Sequence, residues 1–477
     1  MKTLSFSPAS NRNQSPHFLL TGGPITIDDV VAVAFGRPIR LDPDCADRLD
    51  AARNAVLRAA RVGVAVYGLN TGVGALKGVA VNQDEVRSFN RRMILSHRVS
   101  HGAPVPRSVV RATMLCRTQG LAVGGSGVRS TVVQALIDAL NADDVPTVRM
   151  IGSVGQGDLA PLAEIAEVLI GRGLVLEEGE ALALNRARSA IHALEMATAL
   201  TMEAFLFNPS SIDPAVFQAR PSPELERSVL QLRELLAGGA LLEGRESPRL
   251  LQDPLSLRVA PQTHATAREA SRHAVKVVER ELAAASTNPL LTADGRLLSV
   301  GNFDTSGLAS ALDYARIGLA HALTLSCERI QKLLSGWHSG LPTGLRERED
   351  LAEDALAMFG HGAAALAAEA RLLAQPVSLE LPTSSLAESV EDRVTLAPLG
   401  ARRLDEQAGL ALRIAAIELI CAAQAVDLRK RVPSLGEHMR TIYAFVRSAI
   451  PFVRSGGTPV TDLEDFVADL ERQKINV

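Results

Sequence analysis

The chain has 477 residues, of which 47% are hydrophobic and 22% charged, and its formal net charge is −3. This composition is typical of a globular protein with a large core, and the length alone allows two or three domains. Because the net charge is slightly negative and not strongly basic, we expect neither nucleic acid nor a membrane surface as a partner.

The cysteines and the first residues of the chain predict its location. The four cysteines are far apart and form no metal-ligand spacing: Cys45, Cys116, Cys327 and Cys421. They are typical of reduced core thiols in a cytoplasmic protein. Residues 1–18 are polar, and no stretch reaches 18 uninterrupted apolar residues. We therefore expect a cytoplasmic protein without a membrane segment.

Apolar residues recur at three- and four-residue steps, which is the spacing of one helix face. The pattern runs through Ala270, Ala274, Val277, Val278, Leu282 and Ala285, through Leu308, Leu312, Leu319 and Leu323, and through Leu410, Ile414, Ile417 and Ile420. Residues 355–374 and 405–425 are rich in alanine, which suits closely packed helices. The sequence therefore predicts an all-α protein.

Glycine and proline cluster between these helices, at 68–74, 102–106, 152–161, 208–223, 237–248 and 451–459. No internal repeat interrupts the pattern. We predict a loop-bearing N-terminal region at 1–190, a central bundle of long helices at 191–432 and a C-terminal helical extension at 433–477.

Several motifs occur in a fixed order. They are Tyr67-Gly68-Leu69-Asn70-Thr71-Gly72-Val73-Gly74, Leu95-Ser96-His97, Gln252-Asp253-Pro254-Leu255-Ser256-Leu257-Arg258, Asn288-Pro289 and Gly301-Asn302-Phe303. In this order and spacing the chain resembles the histidine/phenylalanine/tyrosine ammonia-lyase family from about residue 20 to about residue 430. The resemblance implies an all-α fold of the fumarase/aspartase type with a long central antiparallel helix bundle. It also implies a homotetramer whose sites draw residues from several subunits.

The segment that departs most from this family is 152–162. The family has Gly-Ser-Val-Gly-Ala-Ser-Gly-Asp-Leu-Ala-Pro-Leu there, and its Ala-Ser-Gly cyclises into a methylidene-imidazolone electrophile (MIO) that captures the substrate amine. Here Gln156 replaces Ala-Ser between Gly155 and Gly157. Glutamine has no β-hydroxyl to eliminate, so we expect no MIO at this degenerate position and no other cofactor.

Two further departures fall on the side of the site that would face the electrophile. Leu255 replaces the family tyrosine that leans on the ring. The family's Asn-Gly-Thr is replaced by residues 185–187 or 186–188, depending on a one-residue gap. Whether Asn185 or Arg186 enters the site therefore stays open.

The residues that the resemblance assigns to proton removal and carboxylate binding are retained. Tyr67 corresponds to the base on the family's mobile loop, and a phenol acts as a base only where positive charge or helix N-termini favour its ionised form. Arg258 corresponds to the clamp on the substrate's α-carboxylate, for which guanidinium geometry is well suited. Further substrate-binding positions are assigned on the same basis: Gln252, Asn302, Phe303 and Gly74.

Two more candidates carry alternatives. His97 is either a site residue or a packed core histidine, and its partner on the same face, His101, has no third metal ligand at useful spacing, so we expect no metal. The family's glutamate that faces an imidazole side chain aligns with Glu391, or with Glu388 if the alignment is counted from Pro382. We favour Glu391, and both could equally be exposed loop charges.

This combination predicts an MIO-free carbon–nitrogen lyase acting on a small molecule with an α-carboxylate. A quaternary ammonium needs no electrophile, because it departs as a neutral amine. The resemblance therefore favours an ergothionase-like reaction that releases trimethylamine from ergothioneine and leaves thiourocanate. The alternatives are β-elimination of another leaving group, a non-catalytic ligand-binding protein, and an MIO-dependent ammonia-lyase with an unorthodox triplet.

Overall fold

The computed structural model describes residues 16–61, 66–68, 70–73, 76–82, 85–149, 151–153, 155, 159–170, 180–379, 391–457 and 462–472. The predicted site residues Gly74, Gln156 and Gly157 lie outside these ranges, as does the alternative Glu388.

The described residues are mostly helical, which confirms the predicted all-α class. The α-helices of the described ranges are α1 Ile27–Ala34, α2 Pro43–Arg61, α3 Val86–Ser96, α4 Arg107–Ala122, α5 Ser130–Asn141, α6 Leu159–Ile170, α7 Glu180–Phe205, α8 Ala215–Ala219, α9 Pro223–Leu235, α10 Leu255–Arg258, α11 Ala260–Leu282, α12 Ser306–Leu334, α13 Gly336–Ser339, α14 Ala357–Leu373, α15 Ala397–Leu428, α16 Glu437–Ala449 and α17 Glu464–Glu471. Short 3₁₀ turns occur at Pro209–Ile212, Thr343–Leu345 and Val432–Ser434.

Two pairs of very short strands accompany the helices. Strands β1 Phe18–Leu20 and β2 Ile39–Leu41 pair in parallel, with Leu19 opposite Arg40. Strands β3 Leu290–Leu291 and β4 Leu297–Leu298 pair antiparallel.

The chain divides into two compact units, each built from three segments. Unit 1 comprises 1–182, 277–306 and 380–398, and unit 2 comprises 183–276, 307–379 and 399–477. These units are discontinuous in sequence. The division into three consecutive regions at 1–190, 191–432 and 433–477 stays a prediction.

In unit 1, the buried side chain of Arg111 on α4 ties three elements together. Its Nε and Nη2 donate to the carbonyl of Val33 at 3.2 and 3.0 Å, and its Nη1 donates to the carbonyl of Leu140 at 2.8 Å. These carbonyls belong to the last turns of α1 and α5, where helices leave carbonyl groups without a partner of their own. An ion pair with Asp143 at 2.9 Å completes the arrangement.

The helices predicted from apolar spacing are present with small shifts at their ends. The pattern assigned to 270–285 lies on α11, which ends at Leu282. There the N–H groups of Ala283 and Ala284 bond to carbonyls three residues back, a tightening that closes helix ends and leaves Ala285 outside. The alanine-rich stretches form most of α14 and the centre of α15.

Among the described residues, one helix, α15, is long and apolar enough to cross a membrane by length and composition. However, 89% of its most apolar 18-residue window is buried inside the protein. Ile414, Leu419 and Val426 have no exposed surface. The helix is therefore placed as a core helix of unit 2.

The core of unit 2 contains buried polar side chains that the apolar spacing did not reveal. Four of them lie on α7, and each has a partner: Glu195 with Arg268, Thr198 with His264, Thr201 with Glu418, and Glu203 with Arg431. Buried polar groups are tolerated where they are hydrogen-bonded. The polar contacts along α7 therefore specify which neighbouring residues it faces.

The most deeply buried ion pair joins α12 to α15. Arg329 and Glu418 are 1% and 0% exposed, and the guanidinium meets the carboxylate through Nε–Oε1 at 2.6 Å and Nη2–Oε2 at 2.9 Å. Thr201 and Ser326 donate to the same carboxylate at 2.8 and 2.5 Å. The remaining nitrogen, Arg329 Nη1, donates to the carbonyl of Ser256 at 3.1 Å, at the start of α10.

The last helix, α17, is attached to unit 2 by both apolar and charged contacts. Phe466 is buried, and its ring lies 5.4 Å from that of Phe445 on α16. Glu464, at the first turn, pairs with Arg413 of α15 at 2.5 Å. Glu471, at the last residue, pairs with Arg186 of α7 at 3.1 Å.

All four cysteines are thiols. Burial raises the pKa of Cys45, Cys327 and Cys421 above the usual value, so these side chains stay protonated and behave as apolar core residues.

The first prediction concerns the ion pair of Arg329 and Glu418. We expect Glu418→Gln to lower the free energy of unfolding by about 3–5 kcal/mol, because the guanidinium is left buried without a counter-charge. Urea unfolding followed by circular dichroism measures the change. The matched control is Asp350→Ala, which breaks the exposed pair with Arg348 and should cost at most about 1 kcal/mol. Equal losses in the two variants would contradict the prediction.

The second prediction concerns His264, whose complete burial lowers its pKa to about 4. An unfolded histidine has a pKa of about 6.5, so between these values the unfolded chain binds the proton and the folded chain does not. The free energy of unfolding should therefore fall as the pH drops through about 6.5, by about 3 kcal/mol once it is below 4. Urea titrations from pH 7.5 to 4 should show a smaller loss for His264→Gln, and identical pH profiles would be inconsistent with this role.

Candidate functional site

Tyr67 lies on a loop of unit 1 between α2 and α3, and its side chain is half-buried. The loop is closed by Asn70, whose Oδ1 accepts the Val66 N–H at 2.7 Å and whose carbonyl accepts the Val81 N–H at 2.9 Å. An antiparallel bridge between Thr71 and Ala80 continues the closure. Tyr67, the predicted base, therefore lies beside a point where two arms of the loop are hydrogen-bonded to each other.

His97 is the residue at which α3 ends, and its ring is half-buried. Its Nδ1 lies 2.6 Å from the carbonyl oxygen of Met93. A carbonyl can only accept, so the neutral ring carries its hydrogen on Nδ1 and its lone pair on Nε2. His97 can therefore accept a proton or a hydrogen bond through Nε2.

The degenerate loop begins at a backbone bridge to the segment after His97. The His101 N–H donates to the Ile151 carbonyl at 2.7 Å, and the Ile151 N–H donates back at 3.3 Å. A second contact joins the segments before and after the loop: the Arg149 N–H donates to Glu164 Oε2 on α6 at 2.6 Å. The loop is thus closed across its base before the chain enters α6.

Gly155 is held by two threonine hydroxyl groups. Its carbonyl oxygen lies 3.0 Å from Thr395 Oγ1 and 3.3 Å from Thr305 Oγ1, and the two hydroxyls are 2.8 Å apart. The backbone has φ +77°, and a Cβ atom would lie 2.2 Å from Thr395 Oγ1. Only glycine fits this position, for both conformational and steric reasons.

The threonine pair brings three predicted site segments of unit 1 together. Asn302 and Phe303 lie three and two residues before Thr305, and Glu391 lies four residues before Thr395. Phe303 and Glu391 are half-buried, whereas Asn302 is exposed. Together with the bridge at His101, these contacts join the His97, Gly155, Phe303 and Glu391 segments in one unit.

Gln252 and Arg258 belong to unit 2, on the segment that forms α10. The half-buried Arg258 donates from Nε to the main-chain carbonyl of Asp253 at 2.8 Å, which fixes the direction of its side chain. Leu255, which replaces the family tyrosine, is 61% exposed. Asp253 is buried, and its Oδ2 accepts the Asn208 N–H at 2.6 Å.

A cavity of about 410 Å³ opens beside this segment within unit 2. It is lined by Asn208, Ser210, Ser211, Val216, Leu251, Gln252, Asp253, Arg258 and Gln262. Arg258 is the cationic side chain of this lining. Burial raises the pKa of the Asp253 carboxyl, against the lowering effects of the Asn208 N–H and of Arg249 and Arg258.

The structure gives different environments to the two candidates on α7. Arg186 pairs with Asp405 at 3.1 Å and with Glu471 at 3.1 Å, so its guanidinium is already neutralised by carboxylates. Asn185 is half-buried, and its uncharged amide has both a donor and an acceptor group. The arrangement favours Asn185 as the residue of this pair that is available to a ligand.

Sequence reasoning missed Thr305, Thr395, Asp253 and Gln262. The two threonines are far apart in sequence and meet only because the chain folds back to Gly155. Asp253 had a signal, since it lies inside a matched motif between Gln252 and Pro254. Gln262 had none, because a single glutamine on a helix is most often a surface residue.

Comparison with known sequences shows which family the chain belongs to. The sequence model for the aromatic amino acid lyases matches residues 25–183 and 179–448. The chain is 33% identical to the histidine ammonia-lyase of Myxococcus xanthus over 476 residues, covering 91% of this chain and 93% of the relative. It is 36% identical to the histidine ammonia-lyase of Burkholderia multivorans, covering 89% and 91%. The chain belongs to the aromatic amino acid lyase family.

Solved structures share the fold of this lyase over almost the whole chain. Ergothionase, the ergothioneine-degrading enzyme of Treponema denticola, matches with a TM-score of 0.87 at 24% identity, covering 96% of this chain and 98% of the other. Histidine ammonia-lyase of Trypanosoma cruzi matches with a TM-score of 0.82 at 25% identity, covering 96% and 92%. The predicted family and fold are confirmed.

Proposed function

We propose that the protein is an MIO-independent carbon–nitrogen lyase that eliminates trimethylamine from a histidine-type betaine such as ergothioneine, giving thiourocanate. The observation that carries the proposal is the replacement of Ala-Ser by Gln156 in the loop held at Gly155. Family membership supports lyase chemistry, and the residues of the loop support the leaving group.

The residues present do not fit the MIO group. One residue, Gln156, stands between Gly155 and Gly157, whereas the family ring needs an alanine and a serine before its glycine. Ser153 is followed by Val154, which lacks the unhindered nitrogen that a glycine supplies. In addition, the Gly155 carbonyl already accepts hydrogen bonds from two threonine hydroxyls.

The chemistry of the leaving group explains why a lyase can function without the electrophile. An electrophile activates an amine by accepting its lone pair, and a quaternary ammonium has no lone pair to give. Its C–N bonding electrons leave with nitrogen, so the product is neutral trimethylamine. The proton removed from Cβ leaves an electron pair that forms the new Cα=Cβ bond, and the reaction balances without a co-reactant.

The side chain of the proposed substrate follows from relatives and from Glu391. The curated relatives cited above are named histidine ammonia-lyases, so an imidazole-type side chain is the substrate feature most common among them. A carboxylate facing an imidazole or its thione makes a charge-assisted hydrogen bond. Half-buried Glu391, in the segment joined to Gly155, is our candidate for that contact.

In the proposed mechanism, Tyr67 removes the β-proton and Arg258 holds the carboxylate. The glycine-rich loop allows Tyr67 to approach a ligand closely. Helix α6 begins at Leu159, at the end of the degenerate loop, and the N-terminal end of a helix carries positive potential that favours anionic groups. Tyr67 and Phe303 are the aromatic candidates for contact with the ammonium methyl groups.

We also propose that the active form is a homotetramer. Tyr67 and Glu391 lie in unit 1 and Arg258 lies in unit 2, and in the family such segments converge across subunit boundaries. A monomer would then hold only part of each site.

The second candidate function is release of ammonia from histidine, which the names of the curated relatives favour. The primary amine of histidine is a poorer leaving group than a quaternary ammonium. Its release would require an unorthodox electrophile in the loop. Elimination of another leaving group and ligand binding without turnover are tested by the same experiment.

The proposal is tested by incubating the purified protein with ergothioneine, hercynine, histidine, phenylalanine and tyrosine, and by measuring ammonia and trimethylamine separately. We expect trimethylamine from the thiolhistidine betaine and no ammonia from the amino acids. Light scattering in the same buffer should show a tetramer as the active species. Ammonia release, or an intact mass lower by two waters, would overturn the proposal in favour of an MIO-dependent lyase.

The third prediction separates the two proposed roles. Tyr67→Phe should lower kcat by at least about 10²-fold and leave substrate affinity nearly unchanged, because proton removal acts only in the transition state. Arg258→Lys should instead weaken binding by roughly 1.5–3 kcal/mol, the scale of a hydrogen bond to a charged group. Steady-state kinetics and calorimetric titration measure both. Full activity of Tyr67→Phe would transfer the base to His97 or Glu391.

A further inference from the structure

The cavity beside Arg258 contains buried acceptor atoms without a donor. Asp253 is 3% exposed, and its carboxylate is bonded on one side only, where Oδ2 accepts the Asn208 N–H. Its other oxygen, Oδ1, is buried and has no hydrogen-bond partner within the described ranges of the chain. The Oε1 of Gln262, on the first turn of α11, is in the same condition. Both residues line the cavity.

Such acceptors are costly to leave unmet. A buried polar atom without a partner costs about 1–3 kcal/mol, and folded proteins contain few of them. Arg258 donates to the Asp253 main-chain carbonyl and makes no hydrogen bond to Asp253 Oδ1. The cavity therefore presents one cationic donor, Arg258, beside two acceptors that need N–H or O–H groups from elsewhere.

We infer that this cavity binds a carboxylate that also carries a hydrogen-bond donor, with Arg258 taking the carboxylate and Asp253 and Gln262 accepting the donor. The inference rests on the proposed function only in placing the substrate carboxylate at Arg258. It adds a selection rule for the ligand: a carboxylate without a donor leaves both acceptors unmet and binds more weakly.

Two parts of an amino-acid-like ligand could supply the donor. One is the N–H of an imidazole or imidazole-thione ring, and the other is an α-ammonium group. The trimethylammonium group of a betaine has no N–H, so for such a substrate the ring is the source. The chemistry at the acceptors is the same in both cases, and small carboxylate probes distinguish them.

The experiment is calorimetric titration of the full-length protein with three probes. They are 3-phenylpropionate, which has no donor besides its carboxyl group, 3-(imidazol-4-yl)propionate, which adds a ring N–H, and phenylalanine, which adds an ammonium. We expect at least one donor-bearing probe to bind about tenfold more tightly than 3-phenylpropionate, the effect of one satisfied buried acceptor. The probe that shows the advantage identifies the source.

Two variants assign that advantage to the acceptors. In Asp253→Asn or Gln262→Met, the tenfold ratio should fall to about twofold, because one acceptor is removed. Affinity for 3-phenylpropionate should stay within about twofold, since Arg258 keeps its main-chain contact. Thr266→Ala is the matched control: Thr266 lies one turn further along α11 and donates to the Gln262 main-chain carbonyl. It should leave the ratio unchanged.

Two results would overturn the inference. One is equal binding of all three probes by the unaltered protein. The other is a ratio that persists in both Asp253→Asn and Gln262→Met. Because the readout is binding of these probes, a failure to release trimethylamine from ergothioneine would remove the proposed reaction alone and leave this result standing.

Discussion

The buried ion pair between Arg329 and Glu418 is the interaction on which the arrangement of unit 2 depends. Two charges without water are stable only when every remaining donor and acceptor is also satisfied. Here Thr201 and Ser326 complete the carboxylate, and the last guanidinium nitrogen reaches the carbonyl of Ser256. Helices α7, α12 and α15 are therefore fixed relative to the segment that carries Arg258. The backbone two residues before Arg258, our candidate carboxylate clamp, is therefore tied to the core.

In unit 1, hydrogen bonds between neutral groups have a comparable but weaker effect at the loop that lacks the cyclising triplet. Two threonine hydroxyls and the carbonyl of Gly155 form a triangle of contacts. Two hydroxyl hydrogens cannot fill three hydrogen bonds at once, so the hydroxyls share their donors among these partners. The triangle still places the loop against the segments of Phe303 and Glu391. The backbone position of Gly155 is thus defined by hydrogen bonds to two other segments of unit 1.

Much of the fold was predictable because apolar residues recur at three- and four-residue steps over many turns of a long helix. A single exception does not obscure this pattern. The stripe through Leu308, Leu312, Leu319 and Leu323 lies on α12, and those four side chains are buried. The end of α11 was predicted less well, since the pattern continues to Ala285 while hydrogen bonding closes the helix at Leu282. The end of the helix is set by hydrogen bonds of the residues that follow it, which the apolar spacing does not predict.

The candidate site was predictable only where a motif was intact. Arg258 and Tyr67 could be named from their neighbours, and their roles stay predictions. The buried partners of α7 could not be named, because Glu195 and Glu203 are acidic residues like any others until the fold supplies Arg268 and Arg431. The same holds for Asp253, whose unmet oxygen is a property of its surroundings and not of its sequence.

The attachment of α17 has a consequence for ionic strength. Its two ion pairs are partly exposed and are weakened by salt, whereas the buried ring of Phe466 is not. In concentrated salt the helix keeps its apolar contacts, while the ion pair between Glu471 and Arg186 weakens. The pair of the same guanidinium with Asp405, whose carboxylate is more exposed than that of Glu471, weakens as well, so the guanidinium next to Asn185 gains freedom to turn. The C-terminal helix thus makes the local charge around Asn185 sensitive to the electrolyte in which the enzyme works.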